Sequence, residues 1–258
     1  MEEGYATTSG GSIHYQKAGE GEPLVLLHSL GNSCESWEQV VPALSQSCTL
    51  YALDLPGHGR SAKPSQAFLI PDYARGVREF MDELNIDRAS IIGNSIGGMI
   101  TVAFSAAYPE RVARAVLVGC PGWDTPAERE ERLALSLSNL DADGNPRKMT
   151  MEEISARYRN PTPQLLEKVN TTRAQAGTWM GVAMRALCQY DITADLPKVC
   201  CPTLVLFGDK DELINKEQVL LGGIEGCQRA VIQNAGHLPQ VDDPEAFSRV
   251  VLAFLGQS

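Results

Sequence analysis

Short apolar runs recur along the chain, each closed by glycine or a polar turn. Leu24-Val25-Leu26-Leu27 stops at His28-Ser29-Leu30-Gly31, and Leu50-Tyr51-Ala52-Leu53 at Asp54-Leu55-Pro56-Gly57. Ser90-Ile91-Ile92 stops at Gly93, Ala115-Val116-Leu117-Val118 at Gly119, and Thr203-Leu204-Val205-Leu206-Phe207 at Gly208. Ala230-Val231-Ile232 is a sixth run. Runs that stay apolar without alternating predict strands buried on both faces, as in a parallel sheet. At the N-terminus, Tyr5-Ala6-Thr7-Thr8 and Ile13-His14-Tyr15-Gln16 flank Gly10-Gly11, the pattern of an antiparallel hairpin.

Helical periodicity fills the gaps between these runs. Residues 72–84 put Tyr73, Val77, Phe80, Met81 and Leu84 on one face. Residues 95–108 are rich in small and apolar residues, which predicts a buried helix, and Asp243-Pro244-Glu245 opens a last helix over Phe247, Val250, Val251 and Phe254. Between Gly119 and Thr203 the strand–helix alternation breaks. Thr125-Pro126-Ala127-Glu128 and Thr150-Met151-Glu152-Glu153 both have capping-box spacing, Thr162-Pro163 starts a further helix, and residues 178–190 form another, with the turn-rich Asp141 to Pro146 after the first. The pattern predicts an α/β core of residues 1–121 and 198–258, its eight-stranded sheet mostly parallel, with a helical lid at 122–197 inserted between two strands.

Composition narrows the class. A net charge of −10 would repel nucleic acid and anionic membrane surfaces. No apolar run reaches the ~18 residues of a membrane span, and the acidic Met1-Glu2-Glu3-Gly4 does not read as a signal peptide, so a cytoplasmic protein is expected. The seven cysteines include no C-x-x-C pair and read as reduced thiols. Four histidines leave little from which to build a histidine-rich metal site, so no metal is expected. The expected partner is a small-molecule substrate, and a homo-oligomer stays open.

The chemistry-bearing residues fall at strand ends. Gly93-Asn94-Ser95-Ile96-Gly97 is a G-x-S-x-G placed between an apolar strand and a buried helix, as a nucleophile elbow requires. The glycines let strand and helix approach, and the helix N-terminus aims N–H groups at the hydroxyl. His237, in Asn234-Ala235-Gly236-His237-Leu238-Pro239 after the last strand, is placed to act as general base. Gly208-Asp209-Lys210-Asp211-Glu212 offers three carboxylates to orient that histidine. Asp211 is favoured because it lies further beyond the strand end, whereas Asp209 is better placed to close the strand. Ser95, Asp211, His237 is also the chain order of the α/β-hydrolase triad. Leu30, after the first parallel strand, and Ile96, after the serine, are the expected N–H donors of an oxyanion hole.

Together, His28-Ser29-Leu30-Gly31, Asp54 to Ser61, Gly93 to Gly98, Gly208 to Asp211 and Gly236-His237 resemble the α/β-hydrolase superfamily over essentially the whole chain. Gly93-Asn94-Ser95-Ile96-Gly97-Gly98 and the lid stretch Glu153 to Asn160 are similar to meta-cleavage-product hydrolases, which split carbon–carbon bonds in vinylogous 1,5-diketones. The chain departs from them at His28-Ser29-Leu30-Gly31-Asn32-Ser33, where theirs is glycine-rich, and at Leu238, where they carry tryptophan. His28-Ser29-Leu30-Gly31 instead resembles 3-oxoadipate enol-lactonases and related carboxylesterases. A serine at 95 sets aside the haloalkane dehalogenases and epoxide hydrolases of this fold, which use aspartate.

The expectation is therefore a serine hydrolase acting on a small carboxylic ester or enol-lactone, chemistry that needs no organic cofactor. C–C bond hydrolysis by the same residues and a non-catalytic ligand-binding role are the alternatives. Trp123, Trp179, Met180 and Met184 are the candidate pocket residues from the lid. His28, Ser29, Asn94 and Leu238 are those beside the proposed machinery in sequence. Arg157, Arg159 and Arg185 are candidate partners for a substrate carboxylate.

Overall fold

The computed structural model describes residues 1–256. Its eight strands are β1 (Glu2–Thr8), β2 (Gly11–Ala18), β3 (Glu22–Leu27), β4 (Cys48–Leu53), β5 (Ala89–Asn94), β6 (Val112–Val118), β7 (Thr203–Gly208) and β8 (Gln228–Ile232). They form one sheet in the order β1-β2-β4-β3-β5-β6-β7-β8. The β1–β2 hairpin pairs antiparallel, and β2 runs antiparallel to β4. Every other pairing is parallel. Each apolar run of the sequence is one of these strands.

The helices are α1 (Val41–Leu44), α2 (Ile70–Glu83), α3 (Ile96–Ala107), α4 (Pro126–Leu137), α5 (Met151–Ser155), α6 (Pro163–Ala176), α7 (Trp179–Gln189), α8 (Glu217–Gly223), α9 (Pro239–Asp242) and α10 (Pro244–Leu255). Side chains of a strand alternate between faces. Val25, Leu27 and Ile91 therefore pack with α2 and α3 on one side. Leu24, Leu26 and Ile92 pack on the other with Leu44 of α1 and with Phe247 and Val251 of α10. None of the helices described is long and apolar enough to cross a membrane.

The helix starts follow their caps. α2 begins at Ile70, two residues before the periodicity alone suggests, because the Asp72 carboxylate accepts the Leu69 N–H at 2.8 Å. Thr150 and Glu153 form a reciprocal box at α5: Glu153 accepts the Thr150 N–H at 2.7 Å, and Thr150 Oγ1 accepts the Glu153 N–H at 3.2 Å. The box expected at α4 is only half formed. Thr125 Oγ1 accepts the Glu128 N–H at 3.3 Å, but the Glu128 carboxylate turns away to pair with Lys216 at 2.5 Å.

Strand order positions the site. From β3 the chain crosses to β4 on one side, and β5 pairs on the other. The loops after β3 and β5 thus leave the sheet at the point where its winding direction reverses, which is where open α/β sheets bind ligands. Between β6 and β7 the chain runs through α4 to α7 before it returns to the sheet.

Candidate active site

Ser95 stands between β5 and α3 with φ 57° and ψ −114°, a conformation that L-residues other than glycine rarely adopt. Its surroundings explain how it is held there. A Cβ on Gly93 would collide with the Gly97 carbonyl, one on Gly97 with the Leu27 carbonyl, and one on Gly98 would lie 2.8 Å from Cys120 Cβ. Three glycines therefore let α3 lie against β5 and β3. The Ser95 N–H donates to the Val118 carbonyl at 2.8 Å, which fixes the turn. Ile96 is the first residue of α3, where helix N–H groups have no intrahelical acceptor. The Leu30 N–H also has no acceptor among the described residues.

His237 and Asp211 come together from separate loops. His237 Nδ1 lies 3.0 Å from Asp211 Oδ2 and 3.1 Å from Oδ1. The carboxylate is fully buried, while the imidazole keeps 21% of its surface exposed. Asp211 Oδ1 also accepts the Leu213 N–H at 2.9 Å, which fixes the carboxylate's orientation. Gly119, with φ +50°, allows the pair to sit over β6, since a Cβ there would meet Asp211 Oδ2 at 2.8 Å and His237 Nδ1 at 3.0 Å. Asp209 is engaged elsewhere: it accepts the Ala235 N–H at 3.2 Å and pairs with Lys210.

A cavity of about 360 Å³ opens above these residues. Ser95 and His237 line it, together with Ser29, Leu30, Trp123, Met180 and Met184. Arg157 lines it as well, while Arg159 and Arg185 do not. Sequence reasoning did not single out Arg132, Arg147, Lys148 or Arg173, which also reach the cavity. The one signal for them was the number of basic residues between Gly119 and Thr203.

Four residues expected at the pocket lie away from its wall. His28 turns into the protein: its Nδ1 donates to the Ser29 carbonyl at 2.8 Å and its Nε2 accepts the Leu55 N–H at 2.9 Å. It thereby braces the β3 loop against the turn after β4. Asn94 is buried, because its side-chain amide donates to the Val118 and His237 carbonyls, each at 3.1 Å. Trp179 lies against Gly57, with its Nε1 donating to the Tyr73 hydroxyl at 2.9 Å. Leu238 packs with Met149, Ile154, Tyr158 and Val169 in a small apolar cluster.

Burial or hydrogen bonding engages several of the other reactive groups. All seven cysteines are free, and burial pushes the Cys34 and Cys120 thiols up, away from the thiolate form. His14, Cys34 and Asp54 place donor atoms within 4.8 Å of one another. The Asp54 carboxylate there already accepts from the Cys34 N–H at 2.7 Å, the Arg60 N–H at 2.9 Å and His14 Nδ1 at 2.9 Å. Protein donors thus occupy the oxygens a metal ion would need.

The chain belongs to the alpha/beta hydrolase fold family, whose profile matches residues 22–244. It is 28% identical to a 2-hydroxy-6-oxo-6-(2'-aminophenyl)hexa-2,4-dienoic acid hydrolase of Metapseudomonas resinovorans, over 99% of this chain and 91% of the relative. It is 29% identical to an (E)-2-((N-methylformamido)methylene)succinate hydrolase of Acinetobacter baylyi, over 95% and 94% of the two chains. Among solved structures, the enol-lactonase from Burkholderia xenovorans superposes with a TM-score of 0.82 at 25% identity, covering 98% of this chain and all of that one.

Proposed function

We propose that this hydrolase works by acyl transfer to water, with Ser95 as nucleophile, His237 as general base and Asp211 as the carboxylate that orients it. The observation that carries the reading is the His237–Asp211 pair, set at the wall of the cavity that a strained Ser95 also lines. With Nδ1–H donating to Asp211, Nε2 is the free basic nitrogen. Ser95 Oγ attacks the substrate carbonyl carbon as its proton passes to Nε2. The N–H groups of Leu30 and Ile96 hold the oxyanion. Collapse expels the leaving group, which takes the proton from His237. Water, activated in turn by the imidazole, then frees the acid and restores Ser95.

In this reading residues 122–197 are a lid that roofs the cavity, and the substrate is a small carboxylic ester or enol-lactone. The fit to the enol-lactonase structure over almost the whole chain favours that class. The similarity to a dienoic acid hydrolase favours a second reading, in which the same residues split a carbon–carbon bond after the dienol ketonises.

The test is p-nitrophenol release from short-chain esters by the protein and by Ser95→Ala. The account expects turnover in the protein and a loss of about 10⁴-fold or more in the variant. Equal rates would overturn it. Turnover of a vinylogous 1,5-diketone ahead of every ester would select the second reading.

A further inference from the structure

The cavity wall has a charge unlike that of the rest of the molecule. The chain carries a net −10, yet Arg132, Arg147, Lys148, Arg157 and Arg173 line the cavity against only Glu153 and Glu212. Elsewhere most cations find carboxylates, as in Arg60–Glu3 at 2.7 Å, Arg78–Asp82 at 2.6 Å and Arg229–Glu217 at 2.9 Å. None of the five cavity cations has a carboxylate oxygen within 4.0 Å among the described residues. A concave site that concentrates one sign of charge against the sign of the whole protein selects ligands of the opposite charge.

These cations come from separate segments of the chain. Arg173 of α6 reaches the loop after β3, and its Cγ would lie 3.3 Å from a Cβ on Gly31, next to Leu30. Its Nε–H is buried without an acceptor. Burial and the neighbouring Arg157 together hold its pKa below the usual guanidinium range. Arg132 stands on α4, and Arg147 lies between it and Arg173: its guanidinium donates to the Ser138 carbonyl at 2.9 Å and to Asn139 Oδ1 at 3.3 Å just past that helix, while its backbone carbonyl accepts from Arg173 Nη2 at 3.4 Å. Guanidinium groups suit carboxylates because their planar donors match two oxygens at once.

We propose that the cavity recognises an acyl substrate bearing two carboxylates besides the carbonyl that Ser95 attacks. One carboxylate is met by Arg173 with Arg157, and the other by Arg132 with Arg147. The proposal rests on the reading of Ser95 as nucleophile. The acid released by such a substrate carries three carboxylates, the newly formed one lying in the oxyanion site.

Calorimetric binding of butyrate, glutarate and tricarballylate to the whole protein tests it, since these acids differ by one carboxylate at each step. The affinity is expected to rise by about tenfold per added carboxylate, a typical return for a charge-assisted pair. Arg173→Gln should remove one step and Arg132→Gln the other. Arg185→Gln, outside the cavity, should leave both steps unchanged. Equal affinities for glutarate and tricarballylate would overturn the second carboxylate, and equal affinities for all three would overturn the proposal. Turnover of a neutral p-nitrophenyl ester is measured alongside. If it is lost in Ser95→Ala while the three acids bind alike, the substrate class fails and the Ser95 reading stands. If it is insensitive to Ser95→Ala while the affinity steps persist, the Ser95 reading fails and only an anion-binding cavity remains.

Discussion

The side-chain amide of Asn94 donates to the backbone carbonyl of His237 at 3.1 Å, so the residue before the proposed nucleophile holds the loop that carries the proposed base. The Asn94 oxygen is itself held by Gln240 Nε2 at 3.3 Å. Asn94→Ala would leave the His237 carbonyl without this donor and Gln240 Nε2 without this acceptor, while the Val118 carbonyl keeps the Ser95 N–H, at a cost of about 1–3 kcal/mol. The expected result is a roughly tenfold lower kcat with little change in KM, because orientation and not substrate contact is lost. A variant with a raised KM and an unchanged kcat would place Asn94 in substrate binding instead.

Gly119 makes a sharper test of the same geometry. An alanine there must adopt φ +50° and press its Cβ onto Asp211 Oδ2 and His237 Nδ1. Gly119→Ala is expected to cost about 1 kcal/mol or more of stability and at least about 10²-fold in kcat. Circular dichroism and ester turnover on the same sample would separate the two losses. Unchanged turnover would show that the pair can shift freely.

Stability should depend on pH through histidines beneath the site. Burial pushes His58 down to about 3 and also lowers His28. A histidine whose folded pKa is depressed takes up its proton more readily in the unfolded chain. The stability it contributes is complete above its ordinary value of 6.5 and is lost as pH falls from there toward about 3. The slope is about 1.4 kcal/mol per pH unit for each such group. Denaturant melts at pH 7 and pH 5 should show this loss, and His58→Gln should reduce it. A protein equally stable at both values would contradict the neutral, buried assignment.

Asp242 joins the proposed lid to the base loop. Its Oδ1 accepts the Arg159 N–H at 2.9 Å and its Oδ2 the Gly236 N–H at 2.7 Å. Asp242→Ala frees both amides at once. Hydrogen exchange should quicken at Arg159 and Gly236 together, by roughly tenfold or more if each bond is worth about 1.5 kcal/mol or above. Faster exchange at one amide alone would show that the two segments are held independently.

The sheet was legible in the sequence because its strands are buried on both faces and end at glycines. Ala115–Val118 followed by Gly119 is an example in which run and strand end coincide. The short helices α1, α8 and α9 were not legible, since four to seven residues are too few to show a period. The elbow, the loop histidine and Asp211 could be named because each follows a strand run. Direction could not. Nothing in the sequence tells that His28 faces inward to Leu55 or that Trp179 turns to Tyr73. The cationic wall was hidden for a related reason: Arg132, Arg147 and Arg173 lie on separate segments and line one cavity only in the folded chain.

The most direct test of Ser95 as nucleophile is covalent capture. The protein is treated with a fluorophosphonate and the adduct is mapped by peptide mass spectrometry. The account predicts a single adduct on Ser95, absent in Ser95→Ala and slowed by about 10²-fold or more in His237→Ala. No adduct, or one on Ser29 or Ser136 of the same cavity, would contradict it.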